Sequence, residues 1–379
     1  MSYSRRVCET REAEHRSTSD LRTVRAAFLD VGQGDTSVLW NPSCGEAIVV
    51  DCVNPVPVWD LLKQEDIHRV SALVITHLHA DHCSGLISFL EGCQPHGIEW
   101  DAVYFHWIPQ VIRRGDFLDD SDEHSLSAEE DDSLRKKKRL SLFQTLADWF
   151  GRPANHSKYR DPSHLDEARI EGMQLEMLHP VPAQIGKLAE SGQLNNLSVV
   201  LRISGSSARV LLTGDLEPWA WDLMLDNVAD VSSDVLKFPH HGAWRRDDVD
   251  DLLSRVDPRV VVISVGTSGE QYDHPGGNVL DALKRHPYIN TLCTQATLKC
   301  VADPQRGEEC VRGVMTSHRP DGGPPCINGG CPCASTVVVE LGSPMEVLHP
   351  SPKMHLKIIG ECLGKAQCGG ARHAEAAQC

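Results

Sequence analysis

The sequence predicts an α/β fold in which strands and helices alternate and the chemistry sits in loops just past the strand ends. Three observations predict it. Short apolar runs that read as buried strands recur, as in Ala72-Leu73-Val74-Ile75, Leu175 to Leu178 and Val260 to Val265. Helical patterns alternate with them, as in Trp59 to Glu65 and Pro218 to Leu225. Strand ends repeatedly deliver ligand-type residues: Thr76-His77-Leu78-His79-Ala80-Asp81-His82, Thr213-Gly214-Asp215, His240-His241-Gly242 and Tyr272-Asp273-His274-Pro275. At 379 residues the chain is long enough for one large domain or two smaller ones. Its 41% hydrophobic and 24% charged content falls in the ordinary globular range, so no fibrous or disordered class is implied.

Taken in order, residues 1–23 read as a flexible N-terminal arm, and Val24 to Leu29 opens the fold as a strand. Asp30-Val31-Gly32-Gln33-Gly34-Asp35 follows, its two glycines allowing a tight turn and close backbone approach. Ser37 to Trp40 and Ala47 to Val50 form a hairpin around Asn41-Pro42-Ser43-Cys44-Gly45. Asp51 either terminates the second of these strands or orients a metal-binding histidine. The strand Ala72 to Ile75 then runs into three histidines and an aspartate within six positions, and Cys83 to Leu90 starts a helix. Neutral imidazole and carboxylate donors at this density suit zinc, and also manganese or iron.

After a strand in Trp100 to Trp107, the segment 113–140 is a charged insertion: nine acids precede Arg135-Lys136-Lys137-Lys138-Arg139. That basic cluster is either a phosphate contact or a solvated helix face balanced by the acids before it. Leu140, Phe143, Leu146, Ala147 and Phe150 recur at helical spacing. Strands are expected at Leu175 to Leu178, Val199 to Ile203, Arg209 to Leu212, Val235 to Pro239 and Val260 to Val265. Asn195, Asn196 and Ser198 either donate to substrate or cap a turn. His240 and His274, each structural if alone, read as ligands in this company. Thr291 to Lys299 and Thr336 to Leu341 are late strands. Between them the Cys-rich insertion 300–335 lacks an apolar core, and Cys300, Cys326, Cys331 and Cys333 are expected to hold an additional structural zinc, with Cys310 as a substitute. Residues 342–379 read as a weakly patterned tail.

The net charge of -16 argues against a protein that coats nucleic acid through a general basic surface, but not against an enzyme whose metals supply local positive charge. The first residues carry no apolar run of a secretory signal, and no stretch nears the ~20 apolar residues of a membrane span. A cytoplasmic location without membrane contact is the expectation. Fourteen cysteines are then reduced thiols or metal ligands rather than a disulfide framework.

These segments together resemble the metallo-β-lactamase superfamily of metallohydrolases, and more narrowly the hydrolase domain of ComEC-type DNA-uptake proteins and their stand-alone relatives. The residues that carry the resemblance are Phe28 to Asp35, Val49-Val50-Asp51, Thr76 to His82, Asn195 to Ser198, Leu211 to Asp215, Val235-Leu236-Lys237 with His240-His241-Gly242, and Tyr272 to Pro275. It covers roughly residues 24–341. It implies a four-layer αββα sandwich: two mixed sheets face to face, helices on both outer faces, and metals at one edge. One divalent metal would take His77, His79 and His241. The other would take Asp81, His82 and His274, with Asp215 bridging them. His179 is another histidine between the first motif and Asp215, but it lacks a ligand motif's flanks. Such a pair lowers the pKa of water from ~16 to ~7. Asp81 would orient the nucleophile, His240 would protonate the leaving oxygen, and Lys237 with Asn195 and Asn196 would meet the substrate. The implied function is hydrolysis of a phosphodiester or other small anionic substrate, nucleic acid included. The same pair also serves lactones, thioesters and phosphocholine-type esters, and a regulatory module without turnover is the reading from another class.

Overall fold

The computed structural model describes residues 23–107, 144–191, 193–266, 274–297 and 333–358. Two sheets organise them. The eight-stranded sheet runs, in spatial order, β14 (Glu346–His349), β13 (Val337–Glu340), β1 (Arg25–Phe28), β2 (Ser37–Asn41), β3 (Glu46–Val50), β4 (Arg69–Val74), β5 (Glu99–Tyr104) and β6 (Tyr159–Arg160). The six-stranded sheet runs β12 (Asn290–Cys293), β11 (Val260–Ile263), β10 (Val235–Lys237), β9 (Arg209–Leu212), β8 (Val200–Ser204) and β7 (Gln174–His179).

Side chains alternate across a strand, and here the alternation sorts them into two cores. Ala26 and Phe28 of β1, Ile48 of β3, Val210 and Leu212 of β9 and Val262 of β11 share the core between the sheets. Their neighbours Ala27, Val49, Leu211 and Val261 belong to the other core, with Val58, Leu62 and Phe89 from helices after the first sheet's strands and Trp221, Leu252 and Leu283 from helices after the second's. Both faces of the central strands are therefore buried, which is why they read as continuous apolar runs. The layers are helix, sheet, sheet, helix, an αββα sandwich.

The neighbours from β3 to β6 pair in parallel, as do those from β9 to β12. The loops past β3, β4, β9, β10 and β11 consequently meet at one edge of the sandwich, where open α/β sheets place their ligands.

Several elements differ from expectation. The helix expected at Trp59 to Glu65 starts earlier, spanning Pro55–Gln64, because Asn54 caps it through Val56 N–H at 3.0 Å and Pro55 suits its first turn. The helix after the His-rich motif is two pieces, Ala80–Cys83 and Leu86–Cys93. The last strand before the Cys-rich segment ends at Cys293. Within the weakly patterned tail, β14 pairs antiparallel with β13, and a helix spans Pro352–Ile358. An edge strand whose side chains are alternately exposed shows no apolar run to read. The N-terminal arm, the charged insertion and Cys300, Cys310, Cys326 and Cys331 lie outside the described residues. Among the described residues no helix is long and apolar enough to cross a membrane.

Candidate metal centre

The site begins at the end of β3. Asp51 stands in the left-handed region (φ 60°), which turns its carboxylate back under β4. It is 1% exposed and accepts the Thr76 N–H at 2.8 Å and the Thr76 hydroxyl at 2.9 Å. Its Oδ2 also lies 2.8 Å from His82 Nδ1. One buried carboxylate thus holds both ends of the motif and turns His82 Nε2 inward. Burial pushes the Asp51 carboxyl up, against the opposing pull of His82.

The loop between opens with His77 Nε2 and His79 Nδ1 2.9 Å apart. His79 stands at the N-cap of the short helix Ala80–Cys83, which carries Asp81 and His82 in its turn. The β1–β2 loop presses on this turn from outside: Asp35 N–H donates to the Asp81 carbonyl at 2.9 Å. Gly34 (φ 127°) approaches so closely that a Cβ would stand 2.4 Å from that same oxygen.

From the second sheet, Gly214 (φ 53°) fits where a Cβ would collide with Ser198 and Thr76 at 2.9 Å. Asp215 then emerges with its N–H on Ser198 Oγ at 3.0 Å. Its Oδ2 is the meeting point of the site, 3.1 Å from His82 Nε2, 3.5 Å from His241 Nε2, and 3.9 Å from both His77 Nε2 and His240 Nε2. Asp81 Oδ2 lies 3.5 Å from His241 Nε2 on the more open side, where Asp81 is about a third exposed.

His240 (φ 48°) and His241 (φ 51°) are both left-handed, a conformation that costs non-glycine residues roughly 1–3 kcal/mol each. The turn throws both rings toward Asp215, and their outer nitrogens differ. His241 Nδ1 donates to the Ser264 carbonyl at 2.8 Å, which leaves Nε2 as the inward lone pair. His240 Nδ1 instead faces the Glu217 carboxylate at 2.8 Å. Burial would lower the His240 pKa, but Asp215 and Glu217 raise it. Burial opposes the same rise in His241, which Asp215 and Asp35 carry to about 10. His274 sets its ring 5.5 Å from that of His240 and stacks 6.4 Å from that of His241.

The residues assigned to substrate lie deeper than the sequence implies. Lys237 is 2% exposed, donates to the Gly214 carbonyl at 3.0 Å, and pairs with Asp35 and, at 3.7 Å, with Asp215. Asn195 reaches Glu217 Oε1 at 3.3 Å, and Asn196 is fully buried against Gln193 at 2.5 Å. His179 is away from the centre, donating to the Asn196 carbonyl at 2.9 Å, and burial lowers its pKa to about 4.

Asp35, His82, Asp215 and His241 offer ligand atoms that all lie within 4.8 Å of one another, and all four are buried. His82 Nε2, His241 Nε2 and Asp215 Oδ1 make no hydrogen bond there. Nitrogen and carboxylate donors left without hydrogen bonds in a buried pocket fit a divalent ion, and this group could hold one. One of its members, Asp35, and the partner of His240, Glu217, carry no role in the sequence reading. Asp35 stood in the glycine loop without a role, its only sequence signal being an acid between Gly34 and an apolar strand. Glu217 gave no spacing signal, since it meets His240 only through the fold.

Residues 29–182 match the model of the metallo-beta-lactamase superfamily. ComE operon protein 3 of Bacillus subtilis (strain 168) is 23% identical over 281 residues, which span 68% of this chain and 30% of that protein. The match thus takes in under a third of the length of this curated relative. Among solved structures, the metallo-beta-lactamase fold protein YhfI from Bacillus subtilis aligns with a TM-score of 0.35 and 13% identity, over 63% of this chain and 85% of the other. A long form RNase Z from yeast aligns with a TM-score of 0.31 and 11% identity, over 65% and 38%.

Proposed function

We propose that this chain is a hydrolase dependent on two divalent metals, and that it cleaves phosphodiesters. In this reading His77, His79 and His241 hold one ion, Asp81, His82 and His274 the other, and Asp215 spans them. The donor set favours zinc, with manganese and iron as alternatives. Bound metals supply Lewis acidity and bring the pKa of water toward ~7. Asp51 fixes the His82 ring, and the Ser264 carbonyl fixes that of His241. Asp81, the most open of the carboxylates, orients the attacking water. Lys237, too buried to reach a ligand directly, offsets the charge of Asp35 and Asp215.

The observation that carries the phosphodiester reading is the His240–Glu217 pair. The Glu217 carboxylate beside Nδ1, itself tethered by Asn195, and Asp215 favour the doubly protonated ring, whose Nε2–H faces the centre as a proton donor. An alkoxide leaving from phosphorus needs that proton; an activated ester does not. The His240-His241-Gly242 turn, which resembles that of the DNA-uptake branch, supports the same choice.

The test uses protein reconstituted with zinc or manganese. His240→Ala should slow hydrolysis of oligonucleotides and alkyl phosphodiesters by 10²–10⁴-fold, spare nitrophenyl phosphodiesters, and leave metal content intact. Equal loss on both substrates, accompanied by lost metal, would make His240 a ligand instead. If reconstituted wild type hydrolyses lactones or thioesters and no phosphodiester, the substrate assignment is wrong.

A further inference from the structure

The Asn195–Glu217 bond that steadies His240 joins two elements, and each runs on into a helix. Asn195 lies in the 3₁₀ turn Leu194–Leu197, which follows the helix Ile185–Glu190. Glu217 is the N-cap of the helix Pro218–Leu225. These two helices meet again. Gln184, at the N-cap of the first, donates to the Leu223 carbonyl at 3.1 Å, and Lys187 Nζ stands 5.5 Å from the centre of the Trp219 ring. Trp219 is 40% exposed, and among the described residues no other tryptophan is as open to solvent. The core does not use it: the helix Pro218–Leu225 buries Ala220, Trp221 and Met224 instead. Trp219 comes two residues after Glu217, the partner of His240, so the two Cα atoms are within about 7 Å of each other.

We infer that Trp219 is a stacking platform for the nucleobase on the leaving side of a phosphodiester held at the centre. The inference rests on the reading that His240 protonates the leaving oxygen. Whatever is attached to that oxygen lies beside His240 and Glu217, and the helix that starts there carries Trp219 on the same side. An indole stacks on the π-face that every base presents, so the contact selects for the presence of a base and not for its identity. Lys187 near the ring restrains it, which lowers the ordering cost when a base arrives. It also sets a cation beside a polyanionic substrate, in a chain whose net charge of -16 otherwise repels one.

The test uses full-length protein reconstituted with zinc or manganese, a thymidine dinucleotide, and two analogues in which hydrogen replaces one base or the other. The products show which nucleoside leaves. KM should rise at least fivefold when the leaving-side base is missing and change little when the other is. Trp219→Leu should raise KM for the intact dinucleotide to that of the leaving-side analogue, with kcat nearly constant. Trp219→Phe, which keeps a ring, should retain most of the preference. Equal KM values for the three substrates in wild type, or an unchanged preference in Trp219→Leu, overturns the platform and leaves the phosphodiester reading standing. A lowered melting temperature in Trp219→Leu with the preference intact does the same, and makes Trp219 a tether between two helices. Failure of wild type to hydrolyse any phosphodiester overturns both.

Discussion

Asp51 holds His82 Nδ1 at 2.8 Å, so if His82 binds metal as proposed, removal of Asp51 has a graded consequence. Carboxylates behind metal-ligating histidines typically contribute 10–100-fold in metal affinity. Asp51→Ala should therefore weaken zinc binding by about that range in competition with a chromogenic chelator; unchanged affinity would leave Asp51 as a strand terminator only. His179 supplies a pH test. Its folded pKa of about 4 lies below the ordinary 6.5 because burial disfavours the charged ring. Between those values the unfolded chain binds a proton that the folded chain does not. Stability is then full above pH 6.5 and is lost as pH falls from 6.5 through 4. His179→Gln should flatten the slope of unfolding free energy across that window by one proton in urea titrations, while an unaltered slope would place the titration elsewhere. At this scale the sequence was legible where candidate residues are adjacent in the chain, as from His77 to His82. It was opaque where a partner arrives from another loop, as Glu217 and Ser264 do.

At the scale of elements, the helix Pro55–Gln64 depends on a cap the sequence displayed as Asn54-Pro55. Asn54→Ala should cost about 1 kcal/mol in chemical denaturation, with no change in metal content. The sequence reading matched Pro218–Leu225 to the residue, since Pro218 sets its start. The helix Val249–Val256 buries Val249, Leu252, Leu253 and Val256, a helical period within reach of the sequence though masked by its many charges. β6 and β14 were not legible, because two-residue and edge strands take their identity from the strands they pair with rather than from their own pattern. The break at Gly85 belongs to the same class: a Cβ there would meet the Val53 carbonyl at 2.6 Å, a contact known only once the loops are folded.

The whole molecule carries a net charge of -16, which sets how a polyanion approaches the centre. Raising salt from about 10 to about 100 mM shortens the Debye length from about 30 Å to about 10 Å. Oligonucleotide cleavage should accelerate over that range while a singly charged phosphodiester changes little; a steep fall with salt would instead reveal a basic track for nucleic acid. Metal bound as proposed would also act on the whole fold, since an ion bound only by the native state adds RT ln(1 + [L]/Kd) of stability. Chelation should lower the melting temperature of wild type and leave that of Asp215→Ala nearly unmoved. One connection in the fold bears on how the protein is made. β1 is flanked by β2 and by β13, with Ala26 opposite Val339 and Arg25 joined to Glu340 at 3.1 Å. During synthesis β1 leaves the ribosome with one edge unpaired, and its partner is among the last described strands to emerge. Until then that edge is an open template for another chain. Folding yield should thus hinge on how fast translation delivers β13, and on chaperones that shield β1 while it waits.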